Sequence, residues 1–489
     1  MSTATAFTFD NSYARELEGL YVPWQPARAP DPRLLVLNDA LADELGLQVD
    51  REHGAALFSG NALPAGATPI AQAYAGHQFG RFSPQLGDGR ALLLGEVLDR
   101  QGRRRDIAFK GSGRTPFSRG GDGKAAVGPM LREVLVGEAM HALGIATTRA
   151  LAVVGTGEPV MRDQVLPGAV LTRVAASHLR VGTFQYVASR GDAEALRRLA
   201  DYTIARHDPA LVGRDDRYLG LLQAMAQRQA ALIAQWMNVG FIHGVMNTDN
   251  MTLSGETIDY GPCAFMEAYD PGAVFSSIDH GARYAYANQP LIARWNIARL
   301  AEALLPLLAD EPDEAVARAT AVIDAFPQWY EAQLLQGQRA KLGLASAADG
   351  DAALAADWLA LLQAQQVDFT LAWRRLADAA AGQALALQAL FSDGAALQAW
   401  LDRWRRRCAA EAAAPSDRAT AMRLTNPIVI PRNHRVEEAL AAATEGDLAP
   451  FERLLSALQR PYQESADHER YAEPAARELT ACYKTFCGT

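Results

Sequence analysis

No run of ~18 or more apolar residues interrupts the sequence, so no segment of it reads as a membrane-spanning helix. The opening "MSTATAFTFDNSYAREL" lacks a basic region leading into an apolar stretch, and it lacks the Arg-rich amphipathic pattern of an organelle-import segment. The expectation is a cytoplasmic protein without a membrane partner. An excess of positive charge is absent too. Lys and Arg number 47 against 56 Asp and Glu, a net charge of −9, which argues against broad nucleic-acid binding because phosphate backbones reward clustered cations. The two arginine runs, Arg103–Arg105 and "RWRRR" at Arg403–Arg407, read as a solvated turn and a solvated helix face. Cysteine is scarce. Cys263, Cys408, Cys482 and Cys487 lack CxxC spacing, which speaks against a zinc site and a secreted disulfide framework. Buried free thiols are the ordinary reading, except that Cys487, third from the end, stands where exposure and mobility favour reactivity.

What is present is the composition of a globular chain: 489 residues, 49% hydrophobic and 21% charged, enough for two or three cores. Residues 1–85 are mixed. There "PARAPDPRLLVLNDALADELGL" reads as a Pro-rich loop, a short strand and a helix capped near Asn38, and the segment is expected to be an N-terminal extension. From Leu86 to about Val181, short β-rich runs broken by glycine ("RALLLGEVL", "RDIAFKG", "RALAVVG", "GAVLTRVA") and one inserted helix predict a small, mostly antiparallel sheet. From about Asp192 to Val239 the pattern is helical, with Tyr218, Leu222, Met225, Leu232 and Trp236 on one face and Gly240 as the stop. Beyond Pro290 the chain is alanine-rich and helical to near Glu478, interrupted by loops such as "TNPIVIPRN", without a fixed-period repeat.

Lys110 lies in the apolar strand "IAFKGSG". Burying an ammonium without a partner is expensive, so it should meet an anion. The helix "VGPMLREVLVGEAMHALG" supplies one: Val127, Met130, Leu131, Val134 and Leu135 face a core and leave Glu133 at the flank, able to reach back. A strand lysine paired with a helix glutamate is the phosphate clamp of protein kinases; a purely structural ion pair is the alternative. Upstream, "GDGRALLLG" offers Gly87 and Gly89 in a turn where backbone N–H groups approach phosphate closely, with Arg90 as a fixed cation. The 23 residues from Gly87 to Lys110 suit a glycine loop, two strands and a lysine strand.

In "GFIHGVMNTDNMTLSGETIDYGP", Gly240 to Pro262, the run Asn250, "MTL", "SGE", "TI", Asp259 is expected to form a hairpin that brings an amide oxygen and a carboxylate side by side. Such ligands suit Mg²⁺ or Mn²⁺ carrying a nucleotide's phosphates. Kinases place their base five residues before that asparagine; here the position holds Val245. Asp249, immediately before Asn250, keeps a carboxylate in the loop. Either the enzyme is dead or its reacting phosphorus lies elsewhere. Arg173 and Arg180 in "LTRVAASHLR" favour the second option, because guanidiniums bordering the cleft suit a polyphosphate tail where the base normally sits. The nucleotide would then lie reversed, with its α-phosphorus at the metal. Surface ion pairing is the alternative for either arginine.

At these residues the sequence closely resembles the selenoprotein O family (SelO, also called YdiU), kinase-like proteins that transfer AMP from ATP to protein hydroxyls. The resemblance runs the full length and includes "YAGHQFGRFSPQLGDGRALLLGE", "DIAFKGSGRTPFSRGGDGKAAVGPMLREVL", "HGVMNTDNMTLSGETIDYGP" and "KTFCGT". It implies that Asp249 accepts the proton while Asn250 and Asp259 hold the metal. It further implies that Lys110, oriented by Glu133, grips the reversed triphosphate with Arg173 and Arg180, and that Gly87, Gly89, Arg90, Asp122 and Gly123 line the nucleotide site. The family's antepenultimate residue is selenocysteine or cysteine, so Cys487 acquires an implied redox role; Cys263 and Cys482 both stay open as its partner, and a reducing cytoplasm would make such a disulfide transient.

The expected fold is therefore α+β and protein-kinase-like, with a β-rich N-lobe over 86–185, a helical C-lobe over 186–290 and a further helical region over 291–489. The expected activity is a protein adenylyltransferase using ATP and Mg²⁺ or Mn²⁺ on Ser, Thr or Tyr hydroxyls of protein substrates. Two other readings stand beside it. One is a uridylyltransferase using UTP with Mn²⁺, since triphosphate grips do not read the base. The other is a non-catalytic pseudokinase scaffold, which expects the clamp or the metal ligands to be lost, and all are present.

Overall fold

Glycine-broken apolar runs build one antiparallel sheet in the computed structural model, which describes residues 7–481 and 483–486. The strands before residue 180 are β1 (Tyr21–Pro23), β2 (Arg33–Leu37), β3 (Ile70–Gln72), β4 (Gly76–Gln78), β5 (Arg81–Ser83), β6 (Ala91–Leu98), β7 (Arg104–Lys110), β8 (Ala125–Ala126), β9 (Arg149–Met161) and β10 (Val165–Ala175). The main sheet runs β1-β3-β6-β7-β10-β9-β2, with β8 added on β10, while β4 and β5 form a separate hairpin. With the many helices that surround and follow the sheet, the architecture is α+β.

Residues 1–85, expected as an extension, supply β1 and β3 at one edge of this sheet and β2 at the other. They cover edges whose backbone groups would otherwise stay unpaired. β2 is the short strand expected before the Asn38 cap, whereas the three-residue β1 and β3, among proline and polar residues, leave little periodicity to read. Asn38 does cap the next helix, accepting the Leu41 N–H at 3.1 Å. Only β6 separates the glycine loop from the lysine strand, one strand fewer than the spacing suggests.

Alternation along β7 sorts its side chains. Ile107 and Phe109 join a core with Phe58, Leu94 and Val170 on one face, which leaves Asp106, Ala108 and Lys110 on the other. Lys110 lies opposite Ala91 of β6 and Leu171 of β10, and Arg173 lies opposite Ala108, so period two puts Lys110 and Arg173 on the same face. The helix Val127–Ala142 covers that face, packing Val134 and Leu135 against Val153 and Leu171. Its far side meets Val436, Ala439 and Leu440 of the helix Asn433–Thr444, which ties the C-terminal region to the helix that carries Glu133.

The helix Arg217–Val239 buries Tyr218, Leu222, Met225, Leu232 and Trp236, and Gly240 ends it at φ 74°. In the loop "TNPIVIPRN", Ile428, Val429 and Ile430 are buried, and buried Arg432 is paired with Glu267 at 2.5 Å and Asp368 at 2.6 Å. Both arginine runs carry ion pairs: Arg103 and Arg105 share Asp99, Arg403 meets Asp357 and Arg407 meets Asp351. No helix among the described residues is long and apolar enough to cross a membrane.

The hairpin expected between Asn250 and Asp259 does not form. Thr252 pairs with Arg180 and Thr257 with Thr147 through isolated bridges, so the two arms turn outward to different partners. The "SGE" turn persists, with the Thr252 hydroxyl donating to the Glu256 carbonyl at 2.7 Å. Burial raises the Glu256 carboxyl to about 7, against the Ala176 N–H and the more distant Arg105. The folded state therefore holds this proton more tightly than the unfolded chain does. Its contribution to stability is greatest below the ordinary carboxylate range and is lost as pH rises to about 7. Glu256→Gln, which keeps an acceptor, is expected to stabilise the protein at pH 8 by on the order of 1–3 kcal/mol and to change little at pH 5. Thermal melts of both proteins at the two pH values check this.

Candidate active site

Four charged side chains meet where the lysine strand faces the helix Val127–Ala142. Lys110 Nζ donates to Glu133 Oε1 and, at 2.6 Å, to Asp259 Oδ1. Arg173 Nη1 donates to the same Asp259 oxygen at 2.7 Å and lies 4.0 Å from Glu133. Lys110, Glu133 and Arg173 are buried, so two cations and two carboxylates compensate one another away from water. Burial opposes ionisation of Asp259, but Lys110, Arg173 and Arg180 outweigh it and hold the carboxyl well below the usual range. Asp259 also adopts φ 63°, a left-handed backbone unusual for a residue with a side chain.

The second cluster lies on the loop before it. Asp249 is buried, its Oδ1 has no hydrogen-bond partner, and Gln78 donates to its Oδ2 at 3.3 Å. Burial raises its carboxyl to about 6, with the nearby Arg180 cation pulling the other way. Beside it, Asn250 Nδ2 donates to the Val245 carbonyl at 3.0 Å, which fixes the amide. The β4–β5 hairpin clasps this loop: the His77 N–H donates to Thr248 Oγ1 at 2.7 Å and the Phe79 N–H to Asn247 Oδ1 at 3.0 Å. Gly76 permits the approach, since a Cβ there would come within 2.6 Å of Asp249 Oδ1.

A buried relay aims Arg173. Its Nε donates to His178 Nε2 at 3.2 Å, and His178 Nδ1 faces Asp106 Oδ2 at 2.9 Å. Burial lowers the His178 ring to about 4 despite Asp106, so the neutral ring donates from Nδ1 and accepts at Nε2. Arg180 Nη1 donates to the Asp249 carbonyl at 3.3 Å, and its guanidinium lies over Tyr74, 4.4 Å from the ring centre. Arg173 stands on β10 and Arg180 just after it.

Gly87 and Gly89 stand in the loop before β6, but their missing side chains are demanded first by packing. At Gly87, φ 88°, a Cβ would fall 2.4 Å from the Phe117 ring, and at Gly89 3.0 Å from the Phe117 carbonyl. Arg90 leaves Nη1 buried without a hydrogen-bond partner. Asp122 pairs with Arg162 at 2.8 Å, and at Gly123, φ 68°, a Cβ would collide with the Gly113 carbonyl.

A cleft of about 1070 Å³ gathers every site residue expected from the sequence except Cys487: Gly87, Gly89, Arg90, Lys110, Asp122, Gly123, Glu133, Arg173, Arg180, Asp249, Asn250 and Asp259 all line it. Cys487 and Cys482 lie outside the described residues. Cys263 is buried and free, its thiol pushed up to about 11 by burial.

The family model described as "Protein adenylyltransferase SelO" matches residues 4–459. The chain belongs to the SelO family. Relatives named "Protein nucleotidyltransferase YdiU" accompany that match. The one from Chromobacterium violaceum is 64% identical over 474 residues, 96% of this chain and 99% of the relative. The one from Cereibacter sphaeroides is 63% identical over 486 residues, 99% and 100% of the two chains, and that from Rhizobium etli 58% over 491 residues, 99% and 98%. Membership of the SelO family makes the chain a nucleotidyltransferase.

Several residues of this SelO-family cleft escaped the sequence reading. Asp106 carried a signal, being a carboxylate four positions before Lys110 in the same apolar strand. His178 stood unread between the two arginines of "LTRVAASHLR". Gln78, Asn247 and Thr248 gave none, because their partnership spans about 170 residues of chain. Arg132, which donates to the Gly261 carbonyl at 3.1 Å and the Cys263 carbonyl at 2.6 Å, holds the segment after Asp259 and was also missed.

Proposed function

We propose that the chain is a protein adenylyltransferase, moving AMP from ATP to Ser, Thr or Tyr hydroxyls of protein substrates with release of pyrophosphate. The observation that carries this reading is the pairing of Val245 at the kinase base position with Asp249, a carboxylate that lines the cleft and keeps one buried oxygen without a hydrogen-bond partner. A protein-kinase-like arrangement goes with it, with lobes over 86–185 and 186–290 followed by the region 291–489. Its support is the Lys110–Glu133 ion pair and the run Asp259-Tyr260-Gly261, which stands where kinases carry Asp-Phe-Gly.

In this reading Asp249 accepts the proton of the attacking hydroxyl. The hydroxyl oxygen bonds to the α-phosphorus, the bond from that phosphorus to the bridging oxygen breaks, and pyrophosphate takes the electron pair. Lys110, Arg173 and Arg180 bind the triphosphate and balance the charge on the leaving group. Glu133 fixes Lys110, and His178 fixes Arg173. Gly87, Gly89, Arg90, Asp122 and Gly123 line the wall the nucleotide rests on.

Asn250 and Asp259 would hold a divalent ion. Mg²⁺ and Mn²⁺ accept one or two protein oxygens when phosphates supply others, so an amide oxygen and an ionised carboxylate on one cleft fit. Among the described residues no cluster of three or more His, Cys, Asp or Glu side chains forms a self-sufficient cage, in keeping with a metal that arrives with its nucleotide. Such an ion supplies neutralisation of the triphosphate charge.

Lys110→Ala is expected to lower kcat/KM for ATP by about 10²–10³-fold, the usual cost of removing a preorganised cationic or donor group. Glu133→Ala should lower it less, because Asp259 still contacts the lysine; ATP titrations of both variants check this order. The proposal itself is tested by mass spectrometry of proteins incubated with the enzyme and either ATP or UTP. An added AMP from ATP supports it. An added UMP alone assigns uridylyl transfer, and an added phosphate contradicts nucleotidyl transfer.

A further inference from the structure

Beside Asp249, the rim of the cleft carries arginines and rings that the transfer chemistry leaves unused. The β4–β5 hairpin is bonded to the Asp249 loop through His77, Gln78 and Phe79, so side chains packed on the hairpin lie near the proton acceptor. There the His77 ring sits 4.9 Å from Phe82 and meets Trp295 edge-on at 5.1 Å. Leu291, Trp295 and Arg299 recur at a spacing of four along the helix Gln289–Leu308, which makes them one stripe of its surface. Arg283 and Arg299 each place a guanidinium 4.8 Å from the Trp295 ring centre. Arg283 also lies against the hairpin turn, where a Cβ on Gly80 would come within 3.5 Å of its Cζ.

The charge on this rim is uneven. Arg81, on the hairpin, is exposed. Arg283 and Arg299 each leave Nε buried without a hydrogen-bond partner. Glu302 pairs with Arg299 at 2.7 Å, and Asp279 is occupied by the backbone N–H groups of Arg283 and Tyr284. Three guanidiniums therefore face two carboxylates, on a chain whose net charge is −9. Phe82 (43% exposed) and Leu291 (65% exposed) add open apolar surface. Arginine and aromatic side chains of this kind are what anchors a protein partner, and a basic rim on an acidic protein attracts acidic segments to one place.

We propose that this rim receives the stretch of the protein substrate flanking the modified hydroxyl, and that the stretch is acidic, with Asp or Glu set against Arg81, Arg283 and Arg299. The inference rests on the adenylyltransferase reading. Its test is a map of modified hydroxyls in a cell extract incubated with ATP labelled at the α-phosphate, for the natural protein and for Arg81→Glu/Arg283→Glu. The natural protein should modify hydroxyls with Asp or Glu enriched within several residues on either side. The variant should label those sites about tenfold less and shift toward sites flanked by Lys or Arg, as reversing rim charges does, while binding a fluorescent ATP analogue unchanged. Should the double variant fail to bind that analogue, Arg81→Glu alone, at an exposed position, carries the same comparison. Sites without acidic enrichment, or an enrichment identical in the variant, overturn the proposal. So does a dimer of the natural protein that the variant dissolves, which would give the rim to a second copy. Absence of any label from the natural protein sinks the transfer reading, and this inference falls with it.

Discussion

Asp259→Ala is expected to lower nucleotide transfer by about 10³-fold or more, the largest loss of any single substitution here. Asp259 accepts hydrogen bonds from both Lys110 and Arg173, whereas Glu133 bonds Lys110 and lies 4.0 Å from Arg173. Its removal takes away the proposed metal ligand and leaves two cations facing Glu133, so a triphosphate would be bound by charge without being aligned. The left-handed backbone at φ 63° adds a reason for the residue type, since aspartate tolerates that region better than most. Asp259→Asn keeps shape and backbone preference and should still lose most of the activity, which separates ligand chemistry from packing. Turnover measured across a titration of Mg²⁺ and Mn²⁺, with a thermal melt of each variant, checks both statements. Transfer at the natural rate by a folded Asp259→Ala protein would remove the metal assignment.

Asp249→Ala should lower turnover by roughly 10²–10⁴-fold, the span of general-base catalysis, while nucleotide affinity changes much less. The split follows from position. Asp249 receives Gln78 on one oxygen and leaves the other buried without a hydrogen-bond partner, and its bond with Arg180 runs through its backbone carbonyl, which alanine retains. A buried oxygen without a partner also costs folding free energy, so Asp249→Asn is expected to melt no lower than the natural protein while losing activity. A residue that is destabilising and indispensable marks a site kept for chemistry. Equal losses in turnover and ATP affinity would instead make Asp249 a nucleotide contact.

Much of this cleft was readable from the chain because its residues break local rules. A lysine inside "IAFKG" demanded a buried anion, and helical spacing left Glu133 in position to provide it. Gly240 ended its helix as glycine does. The Asn250–Asp259 segment shows where such reading stops: "MTL" and "TI" about a glycine turn carry a hairpin's local signals, yet Thr252 and Thr257 find Arg180 and Thr147 instead. Pairing between distant segments is decided by tertiary packing, which no local window contains. The hairpin Gly76–Ser83 escaped for the same reason. Its strands are three residues each, and its value lies in contacts to Asn247, Thr248 and Asp249 that sequence order does not foretell. The short strands β1 and β3 were hidden likewise, since what makes them strands is the sheet edge they cover, whereas β2 was legible in the run "RLLVL".

The central claim is that the α-phosphorus reacts, because the kinase base position is Val245 and the available carboxylate is Asp249. Parallel incubations of enzyme and protein substrates with ATP labelled at the α-phosphate or at the γ-phosphate test it most directly. Label should reach protein from the α-position only, with pyrophosphate accumulating and ADP not. Label arriving from the γ-position, with ADP as the product, would contradict the reversed nucleotide and make this cleft a phosphotransferase with a relocated base.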